Sequence, residues 1–500
     1  MGRGQAEEME RASDELLYDV VVIGAGIVGS MIARELSRYE GRIAVLEKEP
    51  SPGWGVSKGS LAMVHAPDFC PSGTLKGRLT VSAPERFRKL SAELQIAYRE
   101  VDELWLALEP SQIPAIEEAK KRGESHGGKG FEIIGGNRVR ELEPYLNPKV
   151  VAALYIRGLG VVYPPEWAFA LVENAVQNGV NCYLKTEVLD IEKAHGEGYI
   201  IQTSRGDIRT RRMINAAGLF ADEIASMAGD EGIELTLTKG TMAIFNKSVS
   251  HLVRHMVYGT FSKNHSQAIT PTTHGNLLLG LGHFTTPAHK GDFKIEASGL
   301  RDMIEMGKEL IPSLPEQEII STFAGIRSES NRAPNGDFYI APSLHSPGII
   351  HAIIGQPGLT AAPAVAEHVI GLLANDGFPL VEKRNFNGQR KAWTVFAEAP
   401  MADMDRLVRA NPDYGRLVCR CEKVTEGEIV EAMGRGVDTL DGIKHLTRAG
   451  MGACQGGFCG PRLLYLLSKG MANPEKVTKK GGRSSLIGGP LSRRRLQQFL

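Results

Sequence analysis

The chain has 500 residues, 42% hydrophobic and 23% charged, a globular composition long enough for two or three domains. Lysine plus arginine equals aspartate plus glutamate at 58 each, which excludes the basic balance of a polyanion binder. No run of 18 apolar residues occurs, which argues against a spanning helix, and reduced thiols fit a cytoplasmic address.

Residues 1–17 are polar and glutamate-rich, lack the apolar core of a signal peptide, and read as a tail. Asp19 to Ile23 is an apolar, β-branched run suited to a buried parallel strand. It leads into Gly24-Ala25-Gly26-Ile27-Val28-Gly29 and then a helical stretch through Leu36, which is G-x-G-x-x-G between a strand and a helix. Gly24 permits the tight turn, Gly26 lets the backbone approach a pyrophosphate, and Gly29 lets helix and strand pack closely. A second strand, Arg42 to Leu46, ends at Glu47, 18 residues past Gly29, where a carboxylate accepts hydrogen bonds from ribose hydroxyls. Lys48 follows, then a glycine- and serine-rich loop, Gly53 to Ser60, that contains Ser57 and Lys58. A nicotinamide domain has no need of such a loop, whereas a flavin needs backbone amides along its length.

His65 in SLAMVHA is the leading candidate for a base, because neutral imidazole takes a proton near pH 7. The bland alternative is a buried histidine that only hydrogen-bonds its surroundings. Cys70 reads as a small buried hydrophobe. Arg212 to Leu219, with Gly218, reads as a strand whose small terminal residues lie against a dinucleotide. Ile269–Pro271 and Leu277–Gly280 flank a polar turn with His274 and form a hairpin. Gly355 through Pro363, with Gly358, Leu359 and Thr360, opens a long helical stretch to Leu373. Its positive end would stabilise charge that builds on a reduced flavin.

Residues 381–412 mix charges with Pro400 and Pro412 and read as a connector. Beyond it Cys419, Cys421, Cys454 and Cys459 form C-x-C, a gap of 32 residues, then C-x4-C. Four thiolates so spaced suit a [2Fe–2S] cluster better than zinc, which favours C-x2-C knuckles. Disulfides and free thiols are further alternatives. Thr425-Glu426-Gly427-Glu428 resembles a capping box, and Thr439 to Arg448 reads as a second helix stopped by Gly450. The cluster domain spans about 413–475, and a basic tail of 476–500 follows.

On VVIGAGIVGS, VLEKEP, SKGSLAMVHA, GTLKGRL, MINAAGLFADEIA, GNLLLG, TFAGIRSES, QPGLTAAPAVAEHVI, VCRCEKVTEGEI and RAGMGACQGGFCGPR, the chain resembles a known family. This is the FAD-dependent glycerol-3-phosphate dehydrogenases of the D-amino-acid-oxidase-like superfamily, anaerobic type, with a C-terminal bacterioferritin-associated-ferredoxin-like domain. It is also similar to L-2-hydroxyglutarate oxidase. The resemblance implies an α/β fold: a Rossmann-like FAD layer over about 18–80, 150–235 and 320–380, an antiparallel substrate cap from the pieces between them, especially 236–320, and a small helical cluster domain.

It implies FAD contacts at the glycines and Glu47 already named and at Lys48, Ser57, Lys58, Val188, Gly218, Gly325, Gly355, Gly358, Leu359 and Thr360. It places His65 beside the isoalloxazine and Arg327 of FAGIR on the substrate anion, with Arg332 and Lys239 as secondary candidates. Against a phosphate substrate stand Pro67, which removes a backbone donor, and Asp68, which adds a negative charge nearby.

The implied reaction is oxidation of a small anionic hydroxy compound, glycerol 3-phosphate first. Two electrons pass to FAD and then singly through the cluster to a second electron-transfer protein, a flavoprotein or a membrane-associated subunit. Alternatives are an L-2-hydroxy acid dehydrogenase, a C–N dehydrogenase of amino acids, and a non-catalytic electron-transfer subunit.

Overall fold

The computed structural model describes residues 17–261, 265–469, 476–482 and 484–486. Most of the basic tail predicted at 476–500 therefore lies outside the described residues.

Five parallel strands form the centre of the first sheet: β1 (Leu17–Ile23), β2 (Ile43–Glu47), β3 (Asn181–Leu184), β4 (Ile208–Asn215) and β5 (Ile349–Ile353), in the order β3-β2-β1-β4-β5. Val20, Val22, Ile43 and Val45 are almost wholly buried, as parallel strands covered on both faces require. Helix α1 (Ile27–Leu36), the helix Pro164–Gln177 and α2 (Gly358–Asn375) cover one face around Met31, Trp167 and Val365. The hairpin Val188–Lys193/Tyr199–Thr203 extends the sheet antiparallel from β4.

The second sheet has eight strands, in the order 319–330, 235–245, 277–285, 265–271, 256–261, 103–107, 152–156 and 131–135. Neighbours are antiparallel except Met256–Phe261 against Glu103–Ala107, which run parallel. Glu103–Ala107 and Phe131–Gly135 lie, as expected, among the pieces between the FAD segments, but Ala152–Ile156 and Ile319–Ser330, which the sequence reading gave to the FAD layer, join this sheet too. The reason is long-range pairing: Ile319–Ser330 pairs with Leu235–Phe245 along nearly its whole length, and local periodicity does not report a partner strand.

The connector also differs from a plain linker. It contains the helix Met401–Ala410, and Arg390, whose side chain is 2% exposed, reaches back to Glu173 on Pro164–Gln177. Arg435 binds the other Glu173 oxygen at 2.7 Å. One carboxylate thus ties connector and C-terminal domain to the FAD layer.

That last domain holds α3 (Glu426–Gly434), α4 (Leu440–Thr447) and α5 (Gly460–Lys469) around Ile429, Ile443 and Leu463. The capping box is present: Thr425 and Glu428 cap each other reciprocally. Thr439 caps α4, and Arg448 ends it in a left-handed conformation. The domain docks through stacking of His445 on Trp54, ring centroids 5.1 Å apart, and through Tyr163 Oη, 3.6 Å from Met451 Sδ.

Replacing Glu173 by Ala leaves Arg390 buried without its counter-charge, a cost on the order of 1–3 kcal/mol because Glu173 itself is partly exposed. Limited proteolysis is expected to cut within 381–412 several-fold faster in Glu173→Ala; unchanged cutting would show that the tie is not what holds the connector.

Candidate active site and cluster centre

The nucleotide cradle follows from the fingerprint glycines. A Cβ on Gly29 would lie 1.9 Å from the Gly24 carbonyl oxygen, so helix and strand meet here only without a side chain. Gly24 has φ +102°, and a Cβ there would strike the Ala216 carbonyl on the segment after β4. At Gly26 the same test meets nothing nearer than Ser57 Oγ at 3.5 Å, so the backbone at the α1 N-terminus borders open space. Open space beside unpaired helix amides is what a pyrophosphate needs.

Glu47 accepts from the Ala25 N–H at 2.7 Å and the Glu49 N–H at 2.9 Å, and burial pushes its carboxyl up to about 7. It closes the cradle at the end of β2, where a ribose would sit. Ser57 Oγ accepts from the Ile27 N–H at 2.9 Å, bracing the loop against α1. Lys48 sits over the Phe220 ring at 3.2 Å and Lys58 over Trp54 at 4.2 Å, both as cation–π pairs. Gly218 turns the chain after β4 with φ +60°, and Val188 packs beside the core under β2.

The second sheet meets this layer at Gly59 and Gly325. A Cβ on Gly325 would lie 2.0 Å from the Gly59 carbonyl oxygen, and one on Gly355 would lie 2.5 Å from that of Ser328. The segment after Gly355 then does two things. Gln356 Oε1 accepts a hydrogen bond from Arg327. Thr360 Oγ1 donates to the Met63 carbonyl and accepts from the His65 N–H, both at 3.2 Å. Gly358 and Leu359 open α2 between them.

His65 is buried, and burial pushes its imidazole down to about 4, so the ring is neutral at physiological pH. Its Nδ1 lies 3.1 Å from Tyr258 Oη and 3.8 Å from Glu103 Oε2, while Phe69 meets the ring edge-on at 5.1 Å. Burial pushes the Glu103 carboxyl up to about 8 and holds Asp68 well above the usual carboxylate range. The negative charge that the sequence set against a phosphate at Asp68 is therefore suppressed.

Arg327 stacks over the Phe284 ring at 4.0 Å. Its Nη2 is buried without a hydrogen-bond partner, so one edge of the guanidinium fork is left for a ligand. Lys239 is engaged by Asp292 at 2.9 Å, and Arg332 donates to the Glu231 carbonyl at 3.1 Å. The structure thus gathers His65, Thr360, Gln356 and Arg327 along one segment and gives Lys239 and Arg332 protein partners. His274 stays a turn residue, edge-on to Tyr163 at 5.3 Å, and Cys70 is buried with its thiol pushed up to about 12.

The sequence reading missed Glu103, Tyr258 and Gln356. An acid inside the apolar strand Glu-Leu-Trp-Leu-Ala was a usable signal for Glu103. Tyr258 lies 193 residues from His65 and had none.

At the C-terminal centre the cysteines stand two and two. Cys419 and Cys459 are buried and hydrogen-bonded to each other, which lowers one thiol and raises the other. Cys421 and Cys454 are exposed, with Sγ atoms 3.6 Å apart. Thiolates bound to one tetrahedral metal at about 2.3 Å sit ~3.8 Å apart, so the Cys421–Cys454 spacing suits one metal. Among the described residues no three His, Cys, Asp or Glu converge on a single ion, as mononuclear zinc would require. Two pairs fit a two-iron cluster. Backbone amides of Gly450, Glu422, Phe458 and Gly456 point at the sulfurs, and a Cβ on Gly452 would collide with Cys421.

Cys421→Ser is expected to abolish stoichiometric iron and labile sulfide while leaving flavin content unchanged; full iron in that variant would remove Cys421 from the ligand set. Gly29→Ala should weaken FAD binding ~10-fold or more through overpacking, read as flavin absorbance per protein after desalting.

Residues 19–372 match the family model described as FAD dependent oxidoreductase, and residues 417–469 match the BFD-like [2Fe-2S] binding domain. The chain is 36% identical to a glycerol 3-phosphate dehydrogenase of Caloramator mitchellensis, over 95% of this chain and 99% of that one. It is 26% identical to the anaerobic glycerol-3-phosphate dehydrogenase subunit A1 of Haloferax volcanii, over 96% and 89%. The FAD-bound L-alpha-glycerophosphate oxidase of Mycoplasma pneumoniae, reduced with dithionite, superposes with a TM-score of 0.70 at 25% identity, over 76% of this chain and all of that one. FAD and a [2Fe–2S] cluster are thus the cofactors of this chain, which belongs to the FAD-dependent oxidoreductase family.

Proposed function

We propose that this enzyme oxidises glycerol 3-phosphate to dihydroxyacetone phosphate and passes the electrons outward through its C-terminal cluster. The observation that carries the reading is Arg327: a buried guanidinium with one unpartnered edge, held by Gln356 on the same segment whose Thr360 holds His65. The glycerol 3-phosphate dehydrogenase that is 36% identical over 95% of the chain supports it.

Bound FAD supplies a hydride acceptor and the cluster a one-electron carrier. Arg327 orients the substrate by its anionic group. His65 takes the hydroxyl proton, and Nε2 is the atom that does so, because Nδ1 faces Tyr258 and Glu103. The strands carrying Arg327 and Tyr258 are parts of one rigid sheet, so the anion clamp and the support of the base keep their separation. Lys239 and Arg332 are proposed to act on the substrate only after exchanging Asp292 and the Glu231 carbonyl for it.

The electrons leave on the side of exposed Cys421 and Cys454, beside exposed Phe458 and Leu417. A second electron-transfer subunit, a flavoprotein or a membrane-associated protein, receives them there. The similarity to a protein described as subunit A1 supports this. No helix among the described residues is long and apolar enough to cross a membrane, and a cytoplasmic or peripherally attached enzyme is the proposed setting.

Anaerobic mixing with glycerol 3-phosphate, L-2-hydroxyglutarate, lactate, sarcosine and proline tests the assignment. Flavin absorbance should bleach rapidly with glycerol 3-phosphate. Bleaching by an amino acid alone would move the enzyme to C–N oxidation, and silence across the panel with intact chemical reduction would overturn the assignment. Arg327→Ala should raise the substrate Kd ~100-fold, at about 2–3 kcal/mol per lost charge-assisted hydrogen bond, while His65→Ala should slow reduction with little change in Kd.

A further inference from the structure

Behind His65 lies a group of buried polar side chains that the proposed chemistry does not use. Tyr258 Oη donates to Met63 Sδ at 2.9 Å and sits 3.1 Å from His65 Nδ1. The role as a base at Nε2 requires the tautomer in which Nδ1 carries the imidazole proton and the phenol oxygen accepts it, and the thioether gives the phenol proton somewhere else to go.

Glu103 stands on the neighbouring strand, in register with Met256, so it and Tyr258 share one face of the sheet. Its side chain is 2% exposed, and Oε2 lies 3.8 Å from His65 Nδ1 without a hydrogen-bond partner. A carboxyl buried without a partner is costly, and it is placed where a proton taken at Nε2 would turn the ring into a cation.

Resting on the reading of His65 as the base, we propose that Glu103 is its positioning residue, the counter-charge for the imidazolium formed when His65 accepts the substrate hydroxyl proton. The step balances on the substrate. The O–H bond breaks as Nε2–H forms, and the carbinol hydrogen leaves with its electron pair to the bound flavin. Glu103 exchanges no proton with the substrate; its carboxylate lowers the cost of a cation in an apolar pocket.

The groups facing this pair are Tyr258 from the sheet and Asp68 from the loop after His65, with Arg122 Nε held on the Asp68 carbonyl at 2.9 Å. Asp68 also has an unpartnered Oδ1, so it is the competing carboxylate. Asp68 is also the charge that bears on the His65 ring in the resting state, whereas Glu103 Oε2 is the carboxylate oxygen that comes within 3.8 Å of Nδ1.

The role requires the ionised carboxylate, and burial pushes Glu103 up to about 8, so the sign follows. The rate of anaerobic flavin reduction rises with pH through that ionisation and levels above it. In the FAD-loaded full-length enzyme, Glu103→Gln should flatten this rise and lower the plateau at least tenfold, with Kd unchanged. Glu103→Asp should restore part of the pH dependence, and it also serves if Glu103→Gln does not fold. A rise that persists in folded Glu103→Gln, or that disappears in Asp68→Asn instead, overturns the proposal.

A second readout is independent of substrate. In oxidised enzyme with isotope-labelled histidine, the His65 ring resonances should titrate with Glu103 in the parent and stay fixed across that range in Glu103→Gln. If no tested compound bleaches the flavin, the substrate assignment fails while this measurement still decides on Glu103. His65 resonances that do not move in the parent overturn the proposal.

Discussion

The chemistry of this protein hangs on the short segment from Gly355 to Thr360, between β5 and α2. Its start is pressed so closely against the second sheet that a Cβ on Gly355 would strike the Ser328 carbonyl oxygen. Six residues contain the acceptor for Arg327 and the hydroxyl that fixes the His65 backbone. The Arg327 side chain on the second sheet and the His65 backbone after the strand Met63–Val64 are therefore indexed to one helix N-terminus. Displacing this segment would separate Arg327 from His65 without touching either side chain. That is why the close contacts at Gly59–Gly325 and Gly355–Ser328 matter as much as the polar residues.

The second dependence runs between the FAD layer and the cluster domain. Trp54 lies in the loop after β2 and stacks on His445 of α4, while Lys58 of the same loop sits over the Trp54 ring. Tyr163 follows the strand Gly160–Val161, which pairs with Met63–Val64 just before His65, and its hydroxyl reaches Met451 in the cysteine-bearing loop. Arg448 joins Glu422, next to Cys421, to Asn276 in the turn of the second sheet. Three separate contacts thus hold the C-terminal domain against the loop after β2, the residue after the strand Gly160–Val161 and the turn of the second sheet. Cys419 and Cys459 lie in the core of that domain, while Cys421 and Cys454 are exposed.

What the sequence made legible was whatever chemistry demands of neighbours along the chain. The glycine fingerprint, Glu47, the capping box at Thr425 and the cap at Thr439 all depend on residues a few positions apart, and all appear where they were read. The cysteine spacing pointed to a cluster because C-x-C and C-x4-C constrain sulfur directions locally. The second sheet was half hidden: its hairpin at 265–285 was legible, but the partners of Glu103–Ala107 and Ile319–Ser330 lie far away along the chain. The support of His65 was hidden for the same reason. Tyr258 and Glu103 meet the ring only because a parallel pairing sets their strands side by side.

Burial also reverses one inference that residue identity alone encourages. Asp68 beside His65 reads on paper as a fixed negative charge hostile to an anion. In the fold it is 1% exposed, and its carboxyl is driven toward the neutral form, with the Glu103 carboxyl near it adding to the effect. Arg327, by contrast, remains charged, because even after burial its guanidinium titrates only near pH 10. Among the described residues, Asp68 Oδ1, Glu103 Oε2 and Arg327 Nη2 are all buried polar atoms without hydrogen bonds. Native proteins rarely tolerate such atoms unless a ligand or a reaction completes them. In the proposed reaction Arg327 supplies the permanent cation for an anion, while the two carboxyls, held near neutrality at rest, leave Glu103 able to ionise when a cation forms on His65. The same desolvation that suppresses charge at rest strengthens each charge that the reaction creates.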